Sequence, residues 1–213
     1  MRLDKYILLR AVSPPLVYKL MMPNALWRVK ETKKVVYLTF DDGPIPDITE
    51  KVLDILLEHQ IKAAFFCLGK NVEANPHLFK RLIEQGHLVG NHSYSHPDGW
   101  NTSNVNYYQD IEKSQKLIHS KFFRPPYGKL SLTQYLYLKK KYKIVMWDVL
   151  TCDYDSNATV DFCFEAVKRK AKNGSIIVFH DSIKAAPQML PSLVKSIEWL
   201  KSEGYSFGQF TGG

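Results

Sequence analysis

Short apolar runs alternate with longer stretches of helical period along most of this chain. Val35 to Phe40 predicts a strand, and Val52, Leu53, Leu56 and Leu57 recur at helical spacing in a helix from Thr49 to Glu58. Ala63 to Leu68 predicts the next strand. Asn75-Pro76 opens a helix to Glu84, with proline at a first-turn position. Gly86 ends that helix before a strand over His87 to Asn91. Asn104 to Ser120 predicts a longer helix with Val105, Tyr108, Ile111, Leu117 and Ile118 facing inward. Phe122-Phe123-Arg124 is a short strand cut off by Pro125-Pro126. Ser131 caps a helix to Lys141, Lys143 to Val149 is strand-like, and a helix over Val160 to Ala171 ends at Gly174. Ser175 to Phe179 is a continuous apolar run, as expected for a strand buried on both faces. A helix over Pro187 to Glu203 and a strand at Tyr205-Ser206-Phe207 complete the pattern.

Strand and helix in alternation predict a parallel α/β architecture, either an open doubly wound sheet or a closed barrel. The polar residues favour the barrel. Asp41-Asp42, His92, Arg124, Asp148, Asp153 and His180 all fall at or just past the C-terminal ends of predicted strands, which in α/β barrels form the catalytic rim. Contributions from so many strands converge more easily on a ring than on an open sheet. At 213 residues the chain is short for eight full βα units. The expectation is therefore a distorted, incomplete (β/α) barrel, TIM-like and of seven or eight strands. Residues 34–213 would be the catalytic domain and residues 1–33 an N-terminal extension that wraps it or reaches toward the cell envelope.

Composition adds limits. The 45% hydrophobic content excludes wholesale disorder. The net charge of +8 is partly local, in Lys139-Lys140-Lys141-Tyr142-Lys143 and Lys168-Arg169-Lys170-Ala171-Lys172. Both runs sit at predicted helix ends, where cations are favourable, and this reading is preferred over attraction to an acidic polymer. No nucleic-acid-binding module is present, so no nucleic-acid partner is expected. Three cysteines without a Cys-x-x-Cys spacing suggest neither a disulfide framework nor a thiolate metal site. Near the N-terminus, Leu3 to Leu9 is interrupted by Asp4 and Lys5 and has no small-residue cleavage site. Neither a cleaved signal peptide nor a membrane span is expected, leaving a cytoplasmic or envelope-associated location. Leu16 to Met22 reads as an amphipathic surface helix. Nothing in the sequence selects an oligomeric state.

The chemistry concentrates in Thr39-Phe40-Asp41-Asp42-Gly43-Pro44. Adjacent carboxylates raise each other's pKa unless a positive group is close. A divalent metal is one remedy, with one carboxylate as ligand and the other left to move protons. His92 and His96, in His92-Ser93-Tyr94-Ser95-His96, supply two imidazoles. Two histidines and one carboxylate form a common catalytic metal shell with open positions. Taken singly, the other polar groups have bland readings: Arg124 as a turn arginine, His180-Asp181 as a strand cap, Asp153 and Asp155 as turn formers. Their shared placement at strand ends favours a site.

These motifs, with Arg124-Pro125-Pro126-Tyr127-Gly128, Asp153-Tyr154 and Val178-Phe179-His180, resemble the polysaccharide deacetylase family in order, from Val35 to the C-terminus. The resemblance implies a metal-dependent hydrolase that removes N-acetyl or O-acetyl groups from a carbohydrate, such as peptidoglycan or chito-oligosaccharide. It implies Asp42, His92 and His96 as metal ligands, Asp41 as catalytic base and Arg124 as the residue that orients it. It implies the Tyr127 backbone N–H at the oxyanion, His180 as catalytic acid and Asp153 as the residue that tunes it. A divalent metal would lower the pKa of water to roughly 7–9 and polarise the acetyl carbonyl. Zinc is favoured, with cobalt, nickel or iron able to occupy the same set. Tyr154 stands where the family usually has tryptophan, and Val178 where leucine commonly lines the acetyl pocket. Trp100 is a candidate sugar-stacking platform. Two other functions remain as alternatives: an inactive glycan-binding protein on the same fold, and a metal-dependent nuclease or phosphatase.

Overall fold

The centre of the molecule is β1 (Val35–Asp42), a strand with six consecutive buried residues. It pairs in parallel with β2 (Ala64–Cys67) on one side and β7 (Ile176–His180) on the other, and at its start with β8 (Ser206–Phe207). Beyond β2 come β3 (Leu88–Asn91), β4 (Phe122–Phe123) and β5 (Lys143–Ile144); beyond β7 comes β6 (Val149–Leu150). Every pairing among these strands is parallel. The sheet, in the order β5-β4-β3-β2-β1-β7-β6, curls into an open half-barrel, the incomplete (β/α) barrel expected from the polar residues at strand ends and the short chain. A computed structural model describes residues 12–210. Residues 1–11 of the predicted extension lie outside it.

Around the sheet run α1 (Leu16–Met21), α2 (Ile48–Glu58), α3 (Gly69–Ala74), α4 (Pro76–Glu84), α5 (Asn104–Ile118), α6 (Leu132–Leu138), α7 (Val160–Lys170) and α8 (Ala186–Ser202). Strand alternation splits the core in two. Val36, Leu38 and Phe40 face the helices, in one cluster with Leu53, Phe179 and Leu193. Tyr37 faces the barrel interior with Phe66, Val145, Ile176 and Phe210. Thr39 and Asp41 follow Tyr37 on that inner side, so the same alternation that packs the bottom of the barrel aims a carboxylate at its top. A third cluster, with Trp27, Tyr107, Phe123, Tyr135 and Met146, lies under α5 and α6.

The described part of the N-terminal region packs on the barrel. Val12, Met22, Ala25 and Trp27 are buried. Leu26 donates its N–H to Ile144 and accepts from Met146, and the Val29 N–H donates to Gly174. Residues 26–29 thus lie across the gap between the β5 side and the entry of β7, covering backbone that an open sheet would leave unpaired.

Several expected elements differ. The run Lys143 to Val149 is two strands, not one. Val145 donates to Phe123 of β4, whereas Asp148 donates to Ile176 of β7, so the chain crosses the open side of the barrel between them. Asp148 therefore precedes β6 and is not at the C-terminal rim. Its carboxylate accepts from Ser175 at the entry of β7. α3 was not expected; its first residue, Gly69, has no room for a Cβ, which would stand 2.8 Å from Tyr94 and 2.9 Å from Ser114. α5 buries Tyr107, Ile111, Ser114 and Ile118, and Val105, expected inside, is exposed. Leu57 on α2 is also exposed. α6 starts at the Ser131 cap but ends at Leu138, before the lysine run. Among the described residues no helix is long and apolar enough to cross a membrane.

Candidate active site

Three side chains converge where β1 and β3 end. Asp42 Oδ1 lies 3.5 Å from His96 Nε2 and 3.9 Å from His92 Nε2, and one ligand atom from each residue falls within 4.8 Å of the others. Local structure fixes each one. Asp42 has φ 87°, a conformation uncommon outside glycine, and the Asn71 amide donates to its carbonyl at 2.7 Å. His92 is buried, and its Nδ1 lies 2.7 Å from the Arg124 carbonyl. A carbonyl only accepts, so Nδ1 carries the proton and Nε2 presents a lone pair to the other two residues. His96 lies in a loop with φ 67°. Burial, then the neighbouring His92, lowers its pKa to about 4, which keeps the ring neutral and able to coordinate. The donor types, their spacing and the fixed tautomer fit a divalent metal.

Asp41 lies beside this set and is tied to Arg124. The guanidinium is 1% exposed, sits inside the barrel over the Phe66 ring and uses all its nitrogens. Nη1 donates to Asp41 Oδ1 at 2.6 Å and to Thr39 Oγ1 at 2.8 Å; Nε and Nη2 donate to the Val145 and Met146 carbonyls. Burial pushes the Asp41 carboxyl up, but Arg124, His92 and His180 outweigh it and hold it below the ordinary carboxylate range. Asp41 is therefore an ionised base with one oxygen fixed.

Beside Asp41 on the neighbouring strand, His180 ends β7, directly in register with it. Asp153 accepts from both its Nδ1 at 2.7 Å and its backbone N–H at 2.8 Å. Burial works against the imidazolium, but Asp153, with help from Asp42 and Asp41, raises the pKa to about 9. His180 is thus held protonated next to a deprotonated Asp41. Asp41, Asp42, His92, His96, Arg124 and His180 share one cleft of about 480 Å³.

Residues 28–147 match the family model for polysaccharide deacetylase. The chain belongs to the polysaccharide deacetylase family. It is 33% identical to a peptidoglycan-N-acetylglucosamine deacetylase of Bacillus cereus over 85% of this chain and 88% of that one. It is 38% identical to the peptidoglycan-N-acetylglucosamine deacetylase PgdA of Listeria monocytogenes over 83% of this chain but only 38% of that longer protein. Among solved structures, the Bc1960 peptidoglycan N-acetylglucosamine deacetylase in complex with a substituted N-oxidanyl-benzamide superposes with a TM-score of 0.84 and 32% identity, covering 92% of this chain and 94% of that one. A CE4 family pseudoenzyme from Bacillus anthracis also superposes, with a TM-score of 0.76 and 27% identity, over 87% of this chain and 67% of that one.

In this polysaccharide deacetylase, Tyr127, Tyr154 and Val178 line the same cleft as the polar set. The Tyr127 ring stands edge-on to His96, with centroids 4.5 Å apart, and Tyr154 stands edge-on to His180 at 5.0 Å. The Gly128 and Lys129 amides bond to the Pro125 and Pro126 carbonyls. No hydrogen bond from the Tyr127 amide is found among the described residues. Trp100 is not in the cleft lining; it borders a neighbouring apolar groove, and its indole N–H donates to the Leu130 carbonyl. Five further residues, to which the sequence reading gave no role, shape the site. Trp147, Leu150 and Lys184 line the cleft, and Gly128 has no side chain because a Cβ there would stand 2.3 Å from Trp147. Asp110 on α5 accepts from the Tyr94 and Ser95 amides and so shapes the His92–His96 loop. Its position, 14 residues beyond His96 on a helix, carried no local signal.

Proposed function

We propose that this polysaccharide deacetylase hydrolyses N-acetyl groups on an N-acetylglucosamine-containing polymer of the peptidoglycan type, with one divalent metal, zinc, held by Asp42, His92 and His96. The observation that carries the reading is an ionised Asp41 and a protonated His180 side by side in one cleft. The names of the Bacillus and Listeria relatives support the substrate class. Zinc is favoured by a donor set of two imidazoles and one carboxylate.

Bound there, the cation supplies Lewis acidity toward water and the acetyl carbonyl. Asp41 accepts the proton of the attacking water, its other oxygen held by Arg124 so that the carboxylate cannot rotate away. The Tyr127 N–H donates to the oxygen that becomes negative as the carbonyl carbon turns tetrahedral. His180 then gives its proton to the departing amine nitrogen; without it the intermediate would collapse back to amide. Asp153 stabilises the charged form of His180 before transfer and fixes Nδ1, leaving Nε2 toward the cleft. Val178, Tyr154 and Leu150 form an apolar wall suited to a methyl group.

The pseudoenzyme neighbour shows that the fold alone does not decide activity. The retained proton-transfer set argues against a pure glycan binder, which has no use for it. Acetate release from an N-acetylglucosamine polymer decides the matter. Activity should vanish on chelation and return with zinc. Glycan binding with no acetate release under any of several metals would overturn the proposal.

A further inference from the structure

Helix α1 has no buried residue. Leu16 and Leu20 are each 71% exposed, with Val17 and Met21 also in solvent. A helix of six residues with nothing buried has little intrinsic stability. Tyr18, Met21 and Met22 share an apolar groove of about 220 Å³ with Trp100, Leu132 and Tyr135, and Leu132 and Leu136 of α6 add further exposed apolar surface. Asn24 connects this surface to a cationic one. Its N–H donates to the Tyr135 hydroxyl at 2.9 Å, and it borders a depression of about 580 Å³ lined by Lys121, Lys139, Lys140, Lys141 and Lys143. Among the described residues only Lys141 of these lysines has a carboxylate partner, Glu112.

An apolar patch of this kind beside unneutralised charge marks a contact surface. Its occupant must answer both halves. A dissolved polyanion would satisfy the lysines and leave the leucines in water. An anionic bilayer takes Leu and Met at the acyl boundary and lysines at the headgroup phosphates. We propose that α1, α6 and the lysine depression form a peripheral docking surface for an anionic lipid bilayer. Lys121 and Lys143 stand at the entries of β4 and β5, the strand ends opposite the catalytic cleft, whereas Trp100 and Leu132 follow the ends of β3 and β4 on the cleft side, so the surface runs along the flank of the barrel; none of these residues lines the cleft.

The test is sedimentation of the full chain with vesicles at physiological salt. The protein should bind vesicles of phosphatidylcholine mixed with phosphatidylglycerol and not vesicles of phosphatidylcholine alone. The triple variant Lys139→Gln, Lys140→Gln, Lys143→Gln should bind on the order of a hundredfold more weakly, at roughly fivefold per lysine. The double variant Leu16→Ser, Leu20→Ser keeps the charge and should bind about tenfold more weakly. Unchanged urea midpoints would show both variants folded. Quenching of wild-type tryptophan fluorescence by brominated acyl chains, diminished in Trp100→Phe, gives a readout independent of those variants. Failure to bind the anionic vesicles overturns the proposal. So does a leucine variant that binds as tightly as wild type, which would assign the lysines to a dissolved polyanion.

Discussion

Two buried aspartates stand at opposite ends of the same curled sheet. Asp41, at the end of β1, lies 2.6 Å from Arg124; Asp148, before β6, accepts from Ser175 at 2.7 Å with Lys19 and Lys172 within 4 Å. Each is 4% exposed. Burial and a nearby cation are thus common to both, and neither property marks a catalytic group. What separates them is the surroundings. At Asp41 the strands open into loops that leave a cleft, with a second titratable group, His180, on the neighbouring strand. At Asp148 the entry of the barrel is crossed by residues 26–29, and the carboxylate ties Ser175 to its neighbours. Under the proposed function, the same residue type is a reagent at one end and a fastener at the other.

Replacing each carboxylate by its amide puts the largest strain on this comparison. Asp41→Asn should lower the turnover number for acetate release about a thousandfold, with metal content unchanged by elemental analysis. Asp148→Asn should leave turnover within about threefold and lower stability by about 1–3 kcal/mol, as expected when a buried hydrogen-bonded group is compromised. Equal losses of activity in the two variants would show that the ends of the barrel are not functionally distinct.

Arg124→Met probes the same end through stability. It leaves the Asp41 carboxylate buried without its counter-ion, and such a break costs about 3–5 kcal/mol. Urea unfolding should show this loss, and the double variant with Asp41→Asn should recover part of it. The pH dependence follows from the sign of the shift. The folded-state pKa of Asp41 lies below its ordinary value, so its contribution is present at neutral pH and lost as pH falls through that depressed value. Arg124→Met should flatten this acid limb. An acid limb identical to that of wild type would mean that Arg124 does not hold Asp41 ionised.

The sequence made much of this legible, for physical reasons that differ by residue. The apolar run of β1 is local, and once it is a strand, its geometry places Thr39 and Asp41 on one side. The His92-x-x-x-His96 pair and the Asp41-Asp42 pair are local too, and the structure brings them together. Asp148 was misjudged because its place depends on pairing. The apolar run Lys143 to Val149 reads as one strand, yet its two halves bond to β4 and β7 across an open gap, and this reverses which end of the barrel Asp148 occupies. The faces of α2 and α5 were misjudged by one residue in places. Leu57 and Val105 satisfy helical spacing, but the sheet covers only a stripe of each helix. Trp147 and Asp110 act through neighbours distant in sequence, which no pattern within their own segments records.

The third test concerns His180. Its folded-state pKa of about 9 stands above the ordinary 6.5, so the stability it contributes is complete below about 6.5 and is lost as pH rises through about 9. The acid form needed for amine protonation persists over the same range. Turnover should therefore decline on an alkaline limb. Asp153→Asn removes the main opposing charge and leaves burial to lower the pKa, so the limb should move toward lower pH under the same metal loading. A limb that stays in place would assign the alkaline loss to another group.

The smallest effect is expected at the cleft wall. Val178 and Ile176 lie two residues apart on β7, both facing the barrel interior. Val178 borders the cleft, whereas Ile176 belongs to the inner cluster with Tyr37 and Phe210. Val178→Leu adds one methylene toward the place the acyl group would occupy. Acetate release should stay within about threefold of wild type, while release of propionate from the N-propionyl analogue should fall about tenfold, the discrimination one methylene ordinarily gives. Ile176→Leu changes side-chain shape at constant volume below the cleft. It should shift stability by less than about 1.5 kcal/mol and leave the acetyl-to-propionyl ratio where it was. If both substitutions moved the ratio, selectivity would lie in how the whole sheet packs and not in the wall at its catalytic end. If Val178→Leu lowered both rates together, the added methylene would be distorting β7 and with it His180, two residues further along the strand.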